Sequence, residues 1–372
     1  MKYKILVTGG AGFIGSFIVD RLVSEGHDVS ILDNLEPQVH QGNVPDYLNR
    51  QAKFVKGSVL DYDLFREQVA DADVVYHEAA MVGVGQSMYQ VRRYTGANVM
   101  GTAYLLDILA NEKHSVKKVM VAASMSSYGE GSYECPKCGI VSPPLRSEGQ
   151  MKTKTWELVC GSCSSVLKPL PTPETKPFHS NSVYAITKAN QEEMVLTVCK
   201  AYGIPAVALR YFNVYGPRQS LSNPYTGVAA IFMSRIKNNN PPVIFEDGLQ
   251  TRDFVSVHDI ASANILAMKS HSADYEMLNV GSGTPITIKS VAEILACLQG
   301  KEIKPEITNK YRKGDVRHCF ADISKIKKLL DYSPKVSFED GMRELIKWSA
   351  TQKSVDKVEA ATQELRDKGL ME

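Results

Sequence analysis

A glycine-rich turn near the amino terminus, TGGAGFIG at residues 8–15, constrains the fold of this chain more than any other segment. It follows the apolar run KILV and precedes a helix-like stretch, so Gly9, Gly12 and Gly15 stand between a strand and a helix. Glycines at this spacing allow a tight turn, close approach of a pyrophosphate to the backbone and close packing of the helix on the strand. The amino terminus of that helix would face the phosphates with its partial positive charge.

A carboxylate follows this turn at the distance that a dinucleotide site requires. The second apolar segment ends in ILDN, which places Asp33 about twenty residues beyond the glycines, where it can bind the adenosine ribose hydroxyls. The same carboxylate would repel a 2′-phosphate, so the two features predict NAD rather than NADP. A glycine triplet alone is also compatible with an ordinary turn, and it is the position of Asp33 that favours the cofactor site.

Strand-like and helix-like segments alternate after the glycine turn. The alternation predicts an α/β fold, a Rossmann-type doubly wound parallel sheet that is covered by helices on both faces. The candidate strands are 4–7, 28–33, 53–57, 73–77, 117–124 and 205–212, and the candidate helices are 13–25, 88–112 and 182–203. Beyond residue 214 loops, short strands and a few helices predominate, which predicts a smaller, mixed α/β domain for the substrate.

The change near residue 214 separates two predicted domains. The predicted parts are an NAD-binding domain (1–214) that carries an insertion (130–172) and is completed by 252–282, a substrate domain (215–251 and 283–350) and a charged helical tail with a solvated face (351–372).

Composition excludes several classes of partner. The 372 residues carry a net charge of +2 with acidic and basic residues interspersed, so the chain lacks the charge pattern of a nucleic-acid-binding or membrane-binding protein. No apolar run approaches the roughly 18 residues that span a bilayer. The apolar start passes directly into the glycine turn, unlike a secretory signal. A cytoplasmic location is therefore expected, where paired cysteines bind metal more often than they form disulfides.

A second motif, YAITK at 184–188, carries the candidate chemistry. Tyr184 and Lys188 are four residues apart, so a helix would place them on one face. A nearby ammonium favours the phenolate form of a tyrosine and makes it a usable base. Ser124, at the end of the fifth candidate strand, would join them, because open parallel sheets hold their ligands at the carboxyl ends of strands. Taken alone, the tyrosine–lysine pair is also compatible with an ordinary amphipathic helix.

Further motifs carry a family resemblance. They are HEAA (77–80), NVMGT (98–102), SMSSYG (124–129), LRYFNVYGPRQ (209–219), QTRDFVSVHDI (250–260), NVGSG (279–283) and GDVRHCFADISK (314–325). With these motifs the chain resembles an extended short-chain dehydrogenase/reductase, of the NAD-dependent nucleotide-sugar epimerase/dehydratase family. The motifs follow the family's order and leave only the cysteine-bearing stretch and the tail unmatched. The resemblance implies an enzyme with tightly bound NAD, a nucleotide-diphosphate sugar as substrate and a homodimeric assembly.

The resemblance also implies a role for each matching position. Tyr184 would be the catalytic base, Lys188 its partner and a ligand of the nicotinamide ribose, and Ser124 the hydroxyl that shares the substrate proton. The positions that match cofactor contacts are Gly9, Gly12, Phe13, Ile14, Gly15, Asp33, Asn34, Ser58, Val59, Ala79, Ala80, Asn98, Tyr184, Lys188, Tyr211 and Phe212. Ser58 departs from the family, which often has an aspartate there for adenine.

Another set of positions matches the contacts that hold the sugar nucleotide. They are Ser124 and Ser126 at the sugar, Asn213, Arg252 and Arg312 at the diphosphate, Asp315 near its ribose, and Cys319, which sets the size of the sugar pocket. Arginines suit a diphosphate because each offers planar, forked donors. The alternative for Arg252 and Arg312 is a surface ion pair with Asp253 or Asp315.

The residues after Ser124 indicate which reaction the family machinery performs here. Dehydratases of the family usually supply an acid as Asp-Glu at the next two positions, and decarboxylases carry a glutamate there, whereas this chain has Met125 and Ser126. Elimination therefore lacks its general acid, and reversible oxidation at carbon 4, which is epimerisation, remains. Within the family the chain most resembles dTDP-L-rhamnose 4-epimerases, which implies exchange between dTDP-L-rhamnose and dTDP-6-deoxy-L-talose. The alternatives are UDP-glucose or UDP-glucuronate 4-epimerisation and a non-catalytic NAD-binding regulator.

Four cysteines form a separate motif, CPKC at 135–138 and CGSC at 160–163. Two such pairs resemble the knuckles of a zinc ribbon, and four thiolates can close a tetrahedral site at Cys135, Cys138, Cys160 and Cys163. Two disulfides or four free thiols are the alternative. A catalytic zinc needs an open position that four cysteines would fill, so we predict a structural zinc that staples the insertion.

Overall fold

The computed structural model describes residues 2–371. Its strands are β1 (Lys4–Thr8), β2 (Asp28–Asp33), β3 (Lys53–Lys56), β4 (Val74–His77), β5 (Lys118–Ser124), β6 (Ser132–Cys135), β7 (Gly139–Val141), β8 (Lys168–Leu170), β9 (Ala206–Tyr211), β10 (Asn213–Tyr215), β11 (Val243–Ile244), β12 (Thr251–Ser256), β13 (Met277–Val280), β14 (Pro285–Thr287), β15 (Glu306–Ile307) and β16 (His318–Cys319).

Helices connect most of these strands. They are α1 (Phe13–Ser24), α2 (Pro37–His40), α3 (Tyr62–Ala70), α4 (Val84–Ser87), α5 (Val91–Tyr94), α6 (Gly101–Asn111), α7 (Glu148–Lys152), α8 (Val183–Ala201), α9 (Val228–Lys237), α10 (Val257–Lys269), α11 (Ile288–Leu298), α12 (Ser324–Leu330), α13 (Phe338–Ala350) and α14 (Val358–Asp367), with a π-helical turn at Thr95–Met100 and 3-10 turns at Met125–Tyr128 and His271–Ala273. None of the helices within residues 2–371 is long and apolar enough to cross a membrane.

A seven-stranded parallel sheet forms the larger half of the molecule, in the order β13-β9-β5-β4-β1-β2-β3. The predicted α/β Rossmann-type fold is confirmed. Strands β4, β5 and β9 are buried along their whole length because helices cover both faces. The chain direction across the sheet reverses between β1 and β4, and such a switch point opens a crevice at the carboxyl ends of the strands.

The six candidate strands of the sequence all appear with small shifts at their ends, and one predicted helix contains a π-helical turn. Within the predicted stretch 88–112, residues 91–111 are helical without a break, in the order α5, π-helical turn and α6. Asn98 lies in that turn, and its side chain bonds the backbone N–H and C=O of Met81 at 2.7 and 3.1 Å. A π turn adds a residue to the helix, and such turns recur at functional sites.

A smaller mixed region holds the second core. Strand β12 pairs with β10, β14 and β16, and β11 pairs with β15. Helices α9, α11 and α13 pack against these strands around buried side chains such as Phe232, Leu295 and Leu345. Of the segment 252–282, α10 packs on α1 and β13 joins the main sheet. Strand β12 belongs to the smaller sheet, so this part of the predicted return to the NAD-binding half is wrong.

The insertion forms a third, small unit. Its three-stranded antiparallel sheet has the order β7-β6-β8. The enclosed core consists of Tyr133, Cys135, Leu158, Cys160 and Leu167. A core this small supplies little apolar burial, so other interactions must hold the unit together.

The charged tail differs from its predicted solvated face. Helix α14 buries Ala361 and Leu365, which lie four residues apart and so share one side of the helix. Beyond the helix, Met371 is also buried and forms a β-bridge with Arg312. These three side chains line the cleft described below. The tail therefore closes part of the molecule's main cavity while its charged residues face solvent.

Candidate active site

One cleft of about 1600 Å³ runs from the glycine turn to the smaller sheet and contains most of the predicted site residues. The cofactor-side residues that line it are Gly9, Gly12, Phe13, Ile14, Gly15, Asp33, Asn34, Ser58, Val59, Ala79, Ala80, Tyr184, Lys188, Tyr211 and Phe212. The substrate-side residues are Ser124, Ser126, Asn213, Arg252, Arg312 and Asp315. The fold thus gathers into one cavity residues that the sequence spreads over three hundred positions.

The glycine turn has the close approaches that a pyrophosphate cradle needs. Gly9 has a φ of +68°, and a Cβ on it would lie 2.8 Å from the backbone nitrogen of Ala79. A Cβ on Gly15 would lie 2.3 Å from the carbonyl oxygen of Gly9. Helix α1 begins after Gly12 without a side-chain cap or an acidic residue in its first turn, so its amino terminus can receive an anion.

Asp33 ends β2 next to this turn. Its carboxylate accepts from the backbone N–H of Ala11 at 3.0 Å and of Leu35 at 2.8 Å, which fixes its position. The side chain is mostly buried yet lines the cleft. The glycine turn, the free helix terminus and this carboxylate together fit an adenosine ribose and a pyrophosphate. Ser58 is less available, since its hydroxyl accepts from the backbone of Leu60 at 3.1 Å.

The proposed proton-transfer residues come together where β5 and α8 meet the cleft. Ser124 is the last residue of β5, and Tyr184 is in the first turn of α8 behind the capping residue Ser182. The Ser124 hydroxyl lies close enough to Tyr184 to lower the pKa of its phenol, and it accepts from the Ser126 hydroxyl at 2.9 Å. The Lys188 ammonium donates to the carbonyl oxygen of Ala122 at 2.8 Å. A serine, a tyrosine and a lysine therefore share one wall of the cleft.

Burial dominates the protonation of these groups. It raises the pKa of Tyr184, against the direction expected from its lysine neighbour, and the nearby Ser124 hydroxyl only partly offsets this. Burial also lowers the pKa of Lys188 to about 8, while the carboxylate of Glu78 acts in the opposite direction. Lys188 can therefore still carry a positive charge at neutral pH.

Asn98 supports the wall without lining the cleft itself. It is fully buried in the π-helical turn, and its Nδ2 donates to the Thr187 hydroxyl at 2.9 Å. Thr187 in turn donates to the carbonyl oxygen of Tyr184 at 2.8 Å. Asn98, predicted as a cofactor contact, thus links the Met81 backbone to helix α8 behind the cleft.

Sequence reasoning missed Glu78, although it lies within the quoted HEAA motif. Its carboxylate accepts from the Tyr211 hydroxyl at 3.1 Å and lines the cleft near Lys188. Burial raises the pKa of Glu78 to about 7, with the Lys188 charge acting against the rise. Its place directly after a predicted parallel strand was the sequence signal that could have identified Glu78 as a cleft residue.

The substrate side offers unsatisfied polar groups. Asn213 has a buried Oδ1 with no hydrogen-bond partner among residues 2–371, and Gln219 and Gln250 each have such an Oε1. Buried polar atoms are normally satisfied, so these three side chains in the cleft fit a polar ligand. Helix α9 begins beside them at Gly227 without a side-chain cap. Gln219 and Gln250 lie in motifs quoted from the sequence, but nothing there distinguished them.

The two arginines behave differently. Arg312 donates to Asp315 at 2.8 Å and lies 4.8 Å from the centre of the Phe245 ring, so it forms the ion pair that was the alternative for it. Arg252 does not bond Asp253, which instead accepts from Ser282 and Gly283. Arg252 donates to backbone carbonyls, as described below.

The structure places Cys319 away from its predicted contact with the sugar. It is buried, lies 3.9 Å from the Thr172 hydroxyl, and is not among the described residues that line the cleft. Thr172, which its sulfur faces, belongs to the end of the insertion, so the thiol is enclosed between the insertion and β16. Val316, three residues earlier, lines the cleft instead.

The four cysteines of the insertion form one cluster. Their sulfur atoms all lie within 4.8 Å of one another, with Cys135 and Cys163 3.4 Å apart and Cys138 and Cys160 3.8 Å apart. These separations are too long for disulfide bonds. A tetrahedral zinc with Zn–S bonds of about 2.3 Å requires sulfur separations of about 3.8 Å. The thiols therefore have the arrangement of a four-coordinate metal site.

Two family models match the chain. The model described as NAD dependent epimerase/dehydratase family matches residues 5–147, and the model described as GDP-mannose 4,6 dehydratase matches residues 162–345. Between them they leave out part of the insertion, which agrees with its unusual sequence.

Relatives and solved structures match almost the whole chain. A dTDP-L-rhamnose 4-epimerase of Burkholderia thailandensis is 35% identical, covering 93% of this chain and 95% of that protein. A putative UDP-glucose 4-epimerase of Methanocaldococcus jannaschii is 33% identical, covering 92% and 97%. The crystal structure of Thermotoga maritima UDP-glucose 4-epimerase with UDP-glucose has a TM-score of 0.77 at 32% identity, covering 93% and 98%. Bacillus cereus UDP-glucuronic acid 4-epimerase, in complex with UDP-glucuronic acid and NAD, has a TM-score of 0.73 at 30% identity, covering 93% and 98%.

Proposed function

Since the chain belongs to the NAD-dependent epimerase/dehydratase family, we propose that it is a nucleotide-sugar 4-epimerase with dTDP-L-rhamnose and dTDP-6-deoxy-L-talose as its substrate pair. The observation that carries the reaction class is the group of Ser124, Tyr184 and Lys188 at the cofactor cradle, without an acid at positions 125 and 126. Bound NAD would accept hydride from carbon 4 and later return it.

Tyr184 and Ser124 are the groups that move the proton. The phenolate of Tyr184 takes the proton of the 4-hydroxyl, directly or through Ser124, as carbon 4 becomes a ketone. When hydride returns to the opposite face of the ketone, the same pair gives the proton back, so the cycle consumes nothing. Because burial raises the pKa of Tyr184, the phenolate needs positive charge nearby, which Lys188 provides.

The two ends of the cleft favour a fixed nucleotide and a movable sugar. The diphosphate would lie near Arg252, Asn213 and the uncapped start of α9, all of which offer donors. Near the catalytic hydroxyls the side chains of Ser124 and Ser126 are small. A 4-keto sugar can therefore turn over about its diphosphate linkage without releasing the nucleotide. We accordingly propose that the larger sheet binds NAD and the smaller region binds the sugar nucleotide.

The proposed sugar rests on the similarity to a dTDP-L-rhamnose 4-epimerase and on two apolar side chains that line the cleft. The dTDP-L-rhamnose 4-epimerase of Burkholderia thailandensis matches nearly the whole chain. Leu145 of the insertion and Val316 both line the cleft, and apolar side chains suit the methyl group of a 6-deoxy sugar better than a hydroxymethyl or carboxylate group. UDP-glucose and UDP-glucuronate remain the alternatives to be tested.

The insertion would hold a structural zinc. The sulfur geometry and the five-residue core support this proposal, because a unit with so little apolar burial gains folding energy from a metal. We also propose a homodimer that packs through α5, the π-helical turn, α6 and α8, where Val91, Met100 and Ile186 are exposed.

The test is incubation of the purified protein with dTDP-L-rhamnose, UDP-glucose, UDP-glucuronate and UDP-N-acetylglucosamine, without added reductant, followed by proton NMR. We expect inversion at carbon 4 of dTDP-L-rhamnose without net NADH. Inversion of a UDP-sugar alone would replace the proposed substrate, and loss of water or carbon dioxide would overturn the reaction class. Bound NAD without turnover of any sugar would support the regulator alternative.

A further inference from the structure

The segment Arg312–Cys319, here called the substrate loop, presents three consecutive carbonyl groups to arginine side chains. The carbonyl of Asp315 accepts from Arg146 at 3.1 Å. The carbonyls of Val316 and Arg317 accept from Arg252 at 2.5 and 3.1 Å. One arginine belongs to the insertion and the other to the proposed diphosphate site, so the loop is a shared bridge between them.

Arg252 keeps donors for a ligand although the loop holds it. Its Nη1 donates to the carbonyls of Thr251 and Arg317, and its Nη2 donates to that of Val316. A guanidinium has five N–H groups, so within residues 2–371 these bonds leave the Nε–H and one Nη2–H free. These two donors lie on one edge of the guanidinium, in the forked geometry that suits two oxygens of a phosphate. The loop carbonyls therefore fix the direction in which Arg252 faces a diphosphate.

The insertion fixes the loop from the other side. Glu130 is almost fully buried, and its carboxylate accepts from the backbone N–H of Arg317 at 2.8 and 3.0 Å and of His318 at 3.3 Å. The N–H of Gly131 donates to the carbonyl of His318 at 2.8 Å. A Cβ on Gly131 would lie 2.8 Å from that same carbonyl oxygen, so the two backbones are in close contact.

Arg146 is itself held in a single geometry. Two of its nitrogens donate to the two carboxylate oxygens of Glu246, each at 2.8 Å, and a further bond reaches the carbonyl of Trp156 at 3.2 Å. Arg146 is 6% exposed and Glu246 is 2% exposed. A buried, bidentate pair of this kind contributes less to stability than to geometry, because desolvation offsets much of the attraction.

We propose that the insertion sets the affinity of the cleft for a nucleotide diphosphate, with Arg146 as the positioning residue that holds the substrate loop and, through it, Arg252. This inference rests on the proposed nucleotide-sugar function. Arg146 lies outside the described lining of the cleft and touches no proposed substrate position except the backbone of Asp315. Its effect should therefore appear in binding rather than in the chemical step.

The test compares the wild-type protein with Arg146→Met in full-length, NAD-bound form. Calorimetric titration with dTDP and with UDP measures the Kd, and steady-state kinetics separates KM from kcat. We expect the Kd and KM to rise about tenfold, the equivalent of one lost hydrogen bond to a charged group, while kcat changes less than twofold. Arg146→Lys, which keeps the charge but not the fork, should recover part of the affinity.

Lys152→Gln is the matched control, since it removes an exposed positive charge from the same insertion and should leave the Kd unchanged. If Arg146→Met does not fold, Arg146→Lys takes its place; Glu246 is left unchanged because it also pairs with Arg317 of the substrate loop and lines the cleft. An unchanged Kd in a folded Arg146→Met or Arg146→Lys protein that retains NAD overturns the inference. Failure of the wild-type protein to bind either nucleotide overturns the proposed function instead.

Discussion

The cofactor cradle and the cysteine insertion meet at one cleft, yet different interactions hold each of them. The cradle stands on a seven-stranded sheet whose two faces are covered by large apolar clusters. The insertion has a five-residue core, a four-thiol cluster and charged side chains that bond the substrate loop. The large apolar core under the cradle tolerates the loss of a single polar group. The insertion depends instead on each of its thiols and charged side chains.

This difference separates two kinds of defect. A change in the cradle should alter cofactor content or the chemical step while the insertion remains folded. A change in the insertion should alter metal content, local stability and nucleotide affinity while the chemical step remains intact. Four substitutions test this separation.

Cys138→Ser should have the largest effect on stability. Cys138 is exposed, but its sulfur completes the four-thiol cluster, and structural zinc sites contribute on the order of 10 kcal/mol in small peptides. We expect metal content to fall, measured by elemental analysis, and amide exchange of the insertion to increase, while bound NAD is retained. Cys297→Ser, at an exposed cysteine outside the cluster, is the control. Absence of metal from the wild-type protein would refute the zinc site.

Tyr184→Phe should have the largest effect on chemistry. It removes only the hydroxyl, so kcat should fall by about 10³-fold, as expected for loss of a general acid–base group. NAD content and the melting temperature should change little because the ring stays buried among the same neighbours. Tyr202→Phe, which removes an exposed hydroxyl after the end of the same helix, should retain full kcat. Comparable turnover in both variants would remove Tyr184 from the mechanism.

Gly15→Ala should distort the backbone of the cradle. The added methyl group would lie 2.3 Å from the carbonyl oxygen of Gly9, so α1 must shift, at a cost of about 1–3 kcal/mol in the free energy of unfolding. We expect bound NAD to be lost while the metal is retained. Gly149→Ala is the control in the insertion, where the nearest neighbour of the new methyl group is 3.9 Å away. Retention of NAD by Gly15→Ala would show that the turn does not need to approach the pyrophosphate closely.

The two regions also differ in how far the sequence predicts them. Six of the seven main-sheet strands are local runs that the sequence predicts, and the cradle motif and the cysteine pairs are local spacings, so these could be read before the fold was known. The four-residue β13 was not among the predicted strands. The π-helical turn, by contrast, is held by the contact of Asn98 with Met81. The position of the insertion beside the substrate loop depends on Arg146, which pairs with Glu246, one hundred residues away. No local pattern reports such pairs.

Two predictions failed for related reasons. The resemblance supplied a position for Cys319 but not its packing, and in the folded chain its thiol is buried against Thr172 and does not line the cleft. In the tail, the buried stripe consists of Ala361 and Leu365 within a strongly charged sequence. Two apolar residues on one face of a helix are too weak a signal to predict burial, and the contact exists only because the folded cleft provides a surface.

Glu157→Gln should have the smallest effect on stability. The pH dependence of that effect tests the charged contact between the insertion and the substrate loop. Glu157 accepts from Arg317 at 3.0 Å and pairs with His318 at 3.1 Å. The His318 hydrogen bond is the main cause that lowers the pKa of Glu157 to about 2.

Because the folded pKa is depressed, the stabilisation by Glu157 is present above its unfolded pKa of about 4.3 and is lost as the pH falls towards 2. The side chain is 41% exposed, so solvent screens the pair and the effect should stay below about 1 kcal/mol. Melting curves between pH 7 and 3 should show a smaller loss of stability on acidification in Glu157→Gln than in the wild-type protein. Glu134→Gln, at an exposed glutamate in β6, should follow the wild-type curve, and coincidence of all three curves would show that this contact does not stabilise the insertion.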